Sequence, residues 1–171
     1  MDFSEITDTL YIGTAPRSED YDILHQLGIE LVINMRIEQR PQPDPHDPPL
    51  SLLWLPVFDS PLLPIPVRAL EKGVTAAVKT ISEGGKVYAH CAAGVHRGAA
   101  MGATILIAQG YSFDKAIQLI KAGRKNADPE AWYIRRSIQR FAIYWQNKHL
   151  KMSGLAETHP TTQPVEPASE N

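Results

Sequence analysis

The chain of 171 residues has a single cysteine, Cys91, so no disulfide can form within it, and a reducing compartment such as the cytoplasm is its expected setting. It has no apolar run long enough to cross a bilayer, and its first residues carry no signal-peptide pattern. Neither sign of charge dominates. The 17 Lys and Arg against 19 Asp and Glu leave a formal net charge of −2, and no basic cluster is dense enough for a nucleic-acid surface. What the chain does have is 43% hydrophobic content, enough for one domain with a real core and a short appendage. That domain is expected over residues 1–150. Residues 151–171 turn to Thr, Pro, Glu and Ser and are expected to be disordered.

The order of elements is α/β. Thr9-Leu10-Tyr11-Ile12 before Gly13 reads as a short strand, and Ser18 opens a helix with Ile23, Leu24 and Leu27 on its apolar face and Gly28 at its end. Leu31-Val32-Ile33-Asn34 is a nearly all-apolar strand, as a parallel sheet covered on both faces requires. Residues 35–49 carry five prolines among charged side chains, which forbids regular structure. A loop this long is either a rim of the active site or a surface insertion. Ser51–Val57 resumes a buried strand, with Trp54 in the core. Val67–Ser82 has helical apolar spacing, ended by Gly84-Gly85. Lys86–His90 is the next strand, and after Arg97 a helix apolar nearly all round belongs at the centre of a domain. Ser112 caps a following helix. Asp128-Pro129-Glu130 starts the last one, whose stripe of Ile134, Ile138, Phe141 and Trp145 faces the core.

The stretch that carries chemistry is His90-Cys91-Ala92-Ala93-Gly94-Val95-His96-Arg97-Gly98, between a strand and an apolar helix. A lone cysteine is ordinarily a small buried hydrophobe. Here it opens a tight loop that an arginine closes. The helix that follows offers unpaired N–H groups and the positive end of its dipole. Ala92, Ala93, Gly94, Val95 and His96 supply successive N–H groups that wrap an anion, and Gly94 gives the freedom such a curve needs. The same field favours the thiolate form of a cysteine, a nucleophile, and Arg97 grips two oxygens where lysine cannot. The ligand this loop suits is a tetrahedral dianion, phosphate above all.

The pattern His-Cys-x-x-Gly-x-x-Arg resembles the signature loop of the cysteine-dependent protein tyrosine phosphatases, and specifically their small dual-specificity group. Asp59 lies 32 residues before Cys91 at the end of a strand, where that group places its general acid, and Ile6-x-x-x-Leu10-Tyr11-Ile12-Gly13 resembles the group's opening. The resemblance implies an α/β fold with a central, mainly parallel mixed sheet flanked by helices, of the phosphotyrosine protein phosphatase II-like kind. It implies a phosphocysteine intermediate, with Cys91, Arg97 and Asp59 catalytic, Ala92–Arg97 binding phosphate, and His90 supporting the loop through hydrogen bonds. It implies no cofactor and no metal, and the six histidines show no spacing in sequence that holds zinc or iron. The implied partner is a phosphoprotein or phosphopeptide, met by a monomer. A cleft without the deepening loop of the larger tyrosine-specific enzymes would take phosphoserine and phosphothreonine as well.

Two departures stand out. The group usually has Ser or Thr directly after the arginine, where this chain has Gly98, so hydrolysis of the phosphocysteine is expected to be slow. The amide that often positions water has no clear counterpart, Asn126 being the candidate. His96 stands where phosphoinositide-directed members place basic residues, while their usual lysine after the cysteine is Ala92. A phosphoinositide phosphatase is therefore one alternative, and an idle phosphoresidue-binding module another.

Overall fold

The structure is a computed structural model that describes residues 1–152. Five strands form one sheet: β1 (Phe3–Thr7), β2 (Leu10–Gly13), β3 (Ile29–Arg36), β4 (Ser51–Val57) and β5 (Lys86–His90). They run in the order β1-β2-β5-β3-β4, with β1 antiparallel to β2 and every other pairing parallel. Side chains alternate between faces along each strand. Leu10, Ile12, Leu31, Ile33, Val87 and Ala89 therefore meet one set of helices: α2 (Val67–Ser82), α3 (Arg97–Ala108), α4 (Phe113–Gly123) and α5 (Trp132–Met152). Tyr11, Val32 and Tyr88 pack on the opposite side with Tyr21 and Leu24 of α1 (Tyr21–Gln26) and with Leu50.

Helix α3 is the hub. Every residue from Arg97 to Leu106 is buried, which its sequence permits because Ala, Gly, Met, Ile and Leu leave it no polar face. It lies close on the sheet at Gly102, where a Cβ would come within 2.3 Å of Ile12 Cδ1. The loop feeding α3 leaves the carboxyl end of β5, between β2 and β3, with Gly13 and Asn34 both in register with His90. Open α/β sheets hold their ligands at this kind of position.

Several local expectations need correction. β1 has no counterpart in the reading of the sequence, and β3 extends two residues further at each end than its apolar run. Helix α1 begins at Tyr21 after a 3-10 turn at Ser18–Asp20, since the Asp20 carboxylate, not Ser18, takes the Arg17 N–H at 2.8 Å. Ile23 faces solvent. Trp54 is only half-buried, its Nε1 donating to Arg36 O at 2.6 Å beneath the Arg40 guanidinium, 4.7 Å from the ring. Asp128 does accept the Ala131 N–H at 2.9 Å, but this closes a separate turn and α5 starts only at Trp132. The cause is that the Asp128 N–H is held by Val95 O, which fixes the turn beneath the loop after β5. Helix α5 runs to Met152, past the boundary expected at 150, and the expected tail from residue 153 lies outside the described residues.

Candidate active site

The backbone from Cys91 to His96 turns through Gly94, whose φ of +69° is one that side-chain-bearing residues rarely adopt. A Cβ there would lie 2.7 Å from Gly13 O, so the loop sits directly against β2. Its outer carbonyls are taken up from below. Arg124, almost fully buried, donates from Nη2 to Ala93 O at 2.9 Å and to Asp2 Oδ2 at 2.8 Å, and the Asp128 N–H reaches Val95 O at 2.9 Å. Bracing of the carbonyls from outside suits a loop that curls its N–H groups inward. Cys91 is 2% exposed at the start of this curve.

His90 precedes it, with Nδ1 at 3.1 Å from Cys91 O, the geometry of an Nδ1–H donor. Burial pushes His90 down to about 4, so its imidazole is neutral near pH 7.

Arg97 closes the loop at 3% exposure. Its Nη1 donates at 3.0 Å to Val57 O, at the end of β4, and at 3.0 Å to Glu38. Burial works against the guanidinium charge, but Glu38, Cys91 and Asp59 outweigh it and hold Arg97 above its ordinary value. The hydrogen bond from Arg97 in turn keeps the Glu38 carboxyl below the usual range. The Nε of Arg97 is buried, makes no hydrogen bond among the described residues, and faces Asp59 Oδ2 at 3.6 Å.

Asp59 stands over the loop. Its Oδ1 accepts the Tyr133 hydroxyl at 2.8 Å, and its Oδ2 lies 3.3 Å from His96 Nδ1 and 3.6 Å from Arg97 Nε. Burial, reinforced by this carboxylate, raises Tyr133 well above the ordinary phenol range, so it stays a donor. Phe58, Leu62 and Leu63 from the proline-stiffened segment and Trp132 beside Tyr133 are exposed, giving the neighbourhood of Asp59 apolar surfaces.

The structure thus brings Cys91, Arg97, Asp59, His90 and His96 together and adds three residues the sequence did not single out: Glu38, Arg124 and Tyr133. The proline-rich segment turns out to do two things. Its first residues reach the site through Glu38, while its later ones pack against α1. Gly98 sits in the first turn of α3, where an added Cβ would meet Cys91 N at 3.3 Å. Asn126 makes no described contact with the loop.

Sheet order, loop and overlying acid together mark a class, the cysteine-dependent phosphatases of the protein tyrosine phosphatase superfamily. Within it, residues 10–141 match the family described as Dual specificity phosphatase, catalytic domain, and the chain belongs to that family. It is similar to dual specificity phosphatase 28 of Mus musculus, 32% identical over 128 residues that cover 74% of this chain and 76% of the relative. The counterpart from Homo sapiens is 30% identical over 125 residues, covering 72% of this chain and 69% of that one. Among solved structures, a mouse putative dual specificity phosphatase complexed with zinc tungstate superposes with a TM-score of 0.75 at 29% identity, covering 86% of this chain and 91% of the other. No helix among the described residues is long and apolar enough to cross a membrane.

Proposed function

We propose that this chain hydrolyses phosphate monoesters of proteins, phosphotyrosine first and phosphoserine or phosphothreonine after it, through a phosphocysteine intermediate on Cys91. The observation that carries this reading is the Arg97 guanidinium. It is buried and charged, fixed by Val57 O and Glu38 on one side, and turns an Nε without a hydrogen bond among the described residues toward Asp59, 3.6 Å away.

In the first step the Cys91 thiolate forms an S–P bond as the P–O bond to the leaving group breaks. Charge on the equatorial oxygens is met by the loop N–H groups and Arg97, interactions that strengthen as the transition state forms. Asp59, as the carboxylic acid, gives its proton to the departing oxygen. In the second step water attacks phosphorus, the ionised Asp59 takes its proton, and the S–P bond breaks to release phosphate and the thiolate. The hydrogen bond from Tyr133 and the contact with His96 position the carboxyl for both transfers. A mouse putative dual specificity phosphatase of 29% identity is complexed with zinc tungstate, whose anion is tetrahedral like phosphate, which accords with this reading.

The test is hydrolysis of p-nitrophenyl phosphate and of phosphotyrosine peptides by the full chain. Cys91→Ser and Arg97→Ala should each abolish turnover, and absence of phosphate release from the unaltered chain would refute the reading. Assayed beside the peptides, inositol phospholipids are expected to be poor substrates, since Ala92 brings no charge to the loop and His96 is committed to Asp59.

A further inference from the structure

Across the molecule from the loop, the proline-rich segment folds back on α1 and brings together residues far apart in sequence. His25 Nε2 lies 2.8 Å from Asp44 Oδ2, His46 Nδ1 lies 2.6 Å from Asp44 Oδ1, and His46 Nε2 lies 2.8 Å from Asp22 Oδ1. The two imidazole rings are 4.2 Å apart. From these geometries we infer that His25, His46 and Asp44 form a binding site for a divalent first-row transition-metal ion, zinc being the representative case.

The ligand set fits that chemistry. Two imidazole nitrogens and one carboxylate oxygen, all within 4.8 Å of one another, supply three of the four ligands a tetrahedral zinc takes. Bonds of about 2.0–2.2 Å require these atoms to stand roughly 3.3 Å apart, so small adjustments of the side chains suffice. The histidines can make them, because their side chains are 29% and 33% exposed while that of Asp44 is fully buried. Imidazole donors select zinc, nickel or copper over calcium or magnesium.

The surroundings are those of a metal site as well. Asp44 is oriented by two backbone donors, Leu50 N–H to Oδ2 at 2.7 Å and His46 N–H to Oδ1 at 3.0 Å. Asp22 receives the far nitrogen of His46, the carboxylate–histidine arrangement that fixes a ligand's tautomer and raises its basicity. An open cleft lined by His25, His46, Asp47, Pro48 and Leu50 gives access and a fourth coordination position.

A bound ion clasps α1 to the segment whose other end presents Glu38 to Arg97.

The test uses the full chain carrying Cys91→Ser, so that the active-site sulfur cannot take the metal. Zinc competition against a chromophoric chelator should give one ion per chain, and X-ray absorption should show two imidazole nitrogens and no sulfur. His25→Ala and His46→Ala should each weaken binding at least 100-fold, and Asp22→Asn about 10-fold through the tautomer alone. Asp44→Asn replaces one of the two oxygens that accept backbone N–H groups and unsettles the segment, so the partly exposed histidines carry the test, with circular dichroism confirming that each variant is folded. Undetectable binding at micromolar zinc would overturn the inference. So would binding that survives His25→Ala and His46→Ala together.

Discussion

Replacing the imidazole of His90 should change how this protein responds to acid. The side chain is 2% exposed, and burial lowers it from 6.5 to about 4 in the folded state. An unfolded chain thus takes up a proton on this residue as pH falls through 6.5, while the folded chain refuses it until about 4. Stability from this source is complete above 6.5 and drains away between those values as pH falls. At 1.36 kcal/mol per unit of pKa difference, the loss between pH 7 and pH 5 is about 2 kcal/mol. The measurement is urea unfolding at both pH values for the unaltered chain and for His90→Gln. The unaltered chain should lose about 2 kcal/mol more than the variant, whose other titrating groups are the same. Equal losses would mean that folded His90 accepts its proton like a solvated histidine, and the view of it as a neutral, buried imidazole would fall.

Other expectations follow from the site. Asp59→Ala should slow turnover strongly for poor leaving groups and far less for aryl phosphates whose phenols need little protonation; an equal penalty across a leaving-group series would remove Asp59 from the acid role. Arg124→Met removes charge-assisted hydrogen bonds to Ala93 and Asp2, and should cost roughly 2–3 kcal/mol in urea unfolding and raise KM for p-nitrophenyl phosphate. An unchanged KM would separate Arg124 from the loop. With Gly98 offering no hydroxyl to the departing sulfur, rapid-quench kinetics on an aryl phosphate should give a burst of phenol followed by a slower steady rate. A linear time course, with Gly98→Ser no faster, would count against slow dephosphorylation.

The parts of the site that could be read in advance are those written in consecutive residues. Cys91, Arg97 and the loop between them are local spacing, and the strand before and helix after them are each a plain hydrophobic period. Asp59 was legible only through the family resemblance, which places an acid at the end of a strand at that distance before the cysteine; by itself it reads as a turn former. Glu38 was not legible: it sits among prolines where no period operates, and only the return of β4 beside β3 puts it next to Arg97. Tyr133 lies next to the apolar stripe of α5 and resembles one more packing residue until the fold turns it toward Asp59. Arg124 sits in the short link after α4, with nothing to distinguish it from the surface arginines that follow. His25 and His46 are 21 residues apart, too far to read as a short ligand motif, and it is the fold-back of the proline segment that joins them. Where α5 begins was misjudged for a related reason: the Asp-Pro-Glu signal is real, but a tertiary bond to Val95 spends it on a turn.

The enclosure of α3 on all sides carries a physical corollary. The helix that closes the Cys91–Arg97 loop is also the one on which the sheet and the surrounding helices converge, so a change of side-chain volume within it propagates to the loop and the interior together. The segments around Glu38 and Asp59 border the loop without threading the interior, and there a substitution alters the rim alone.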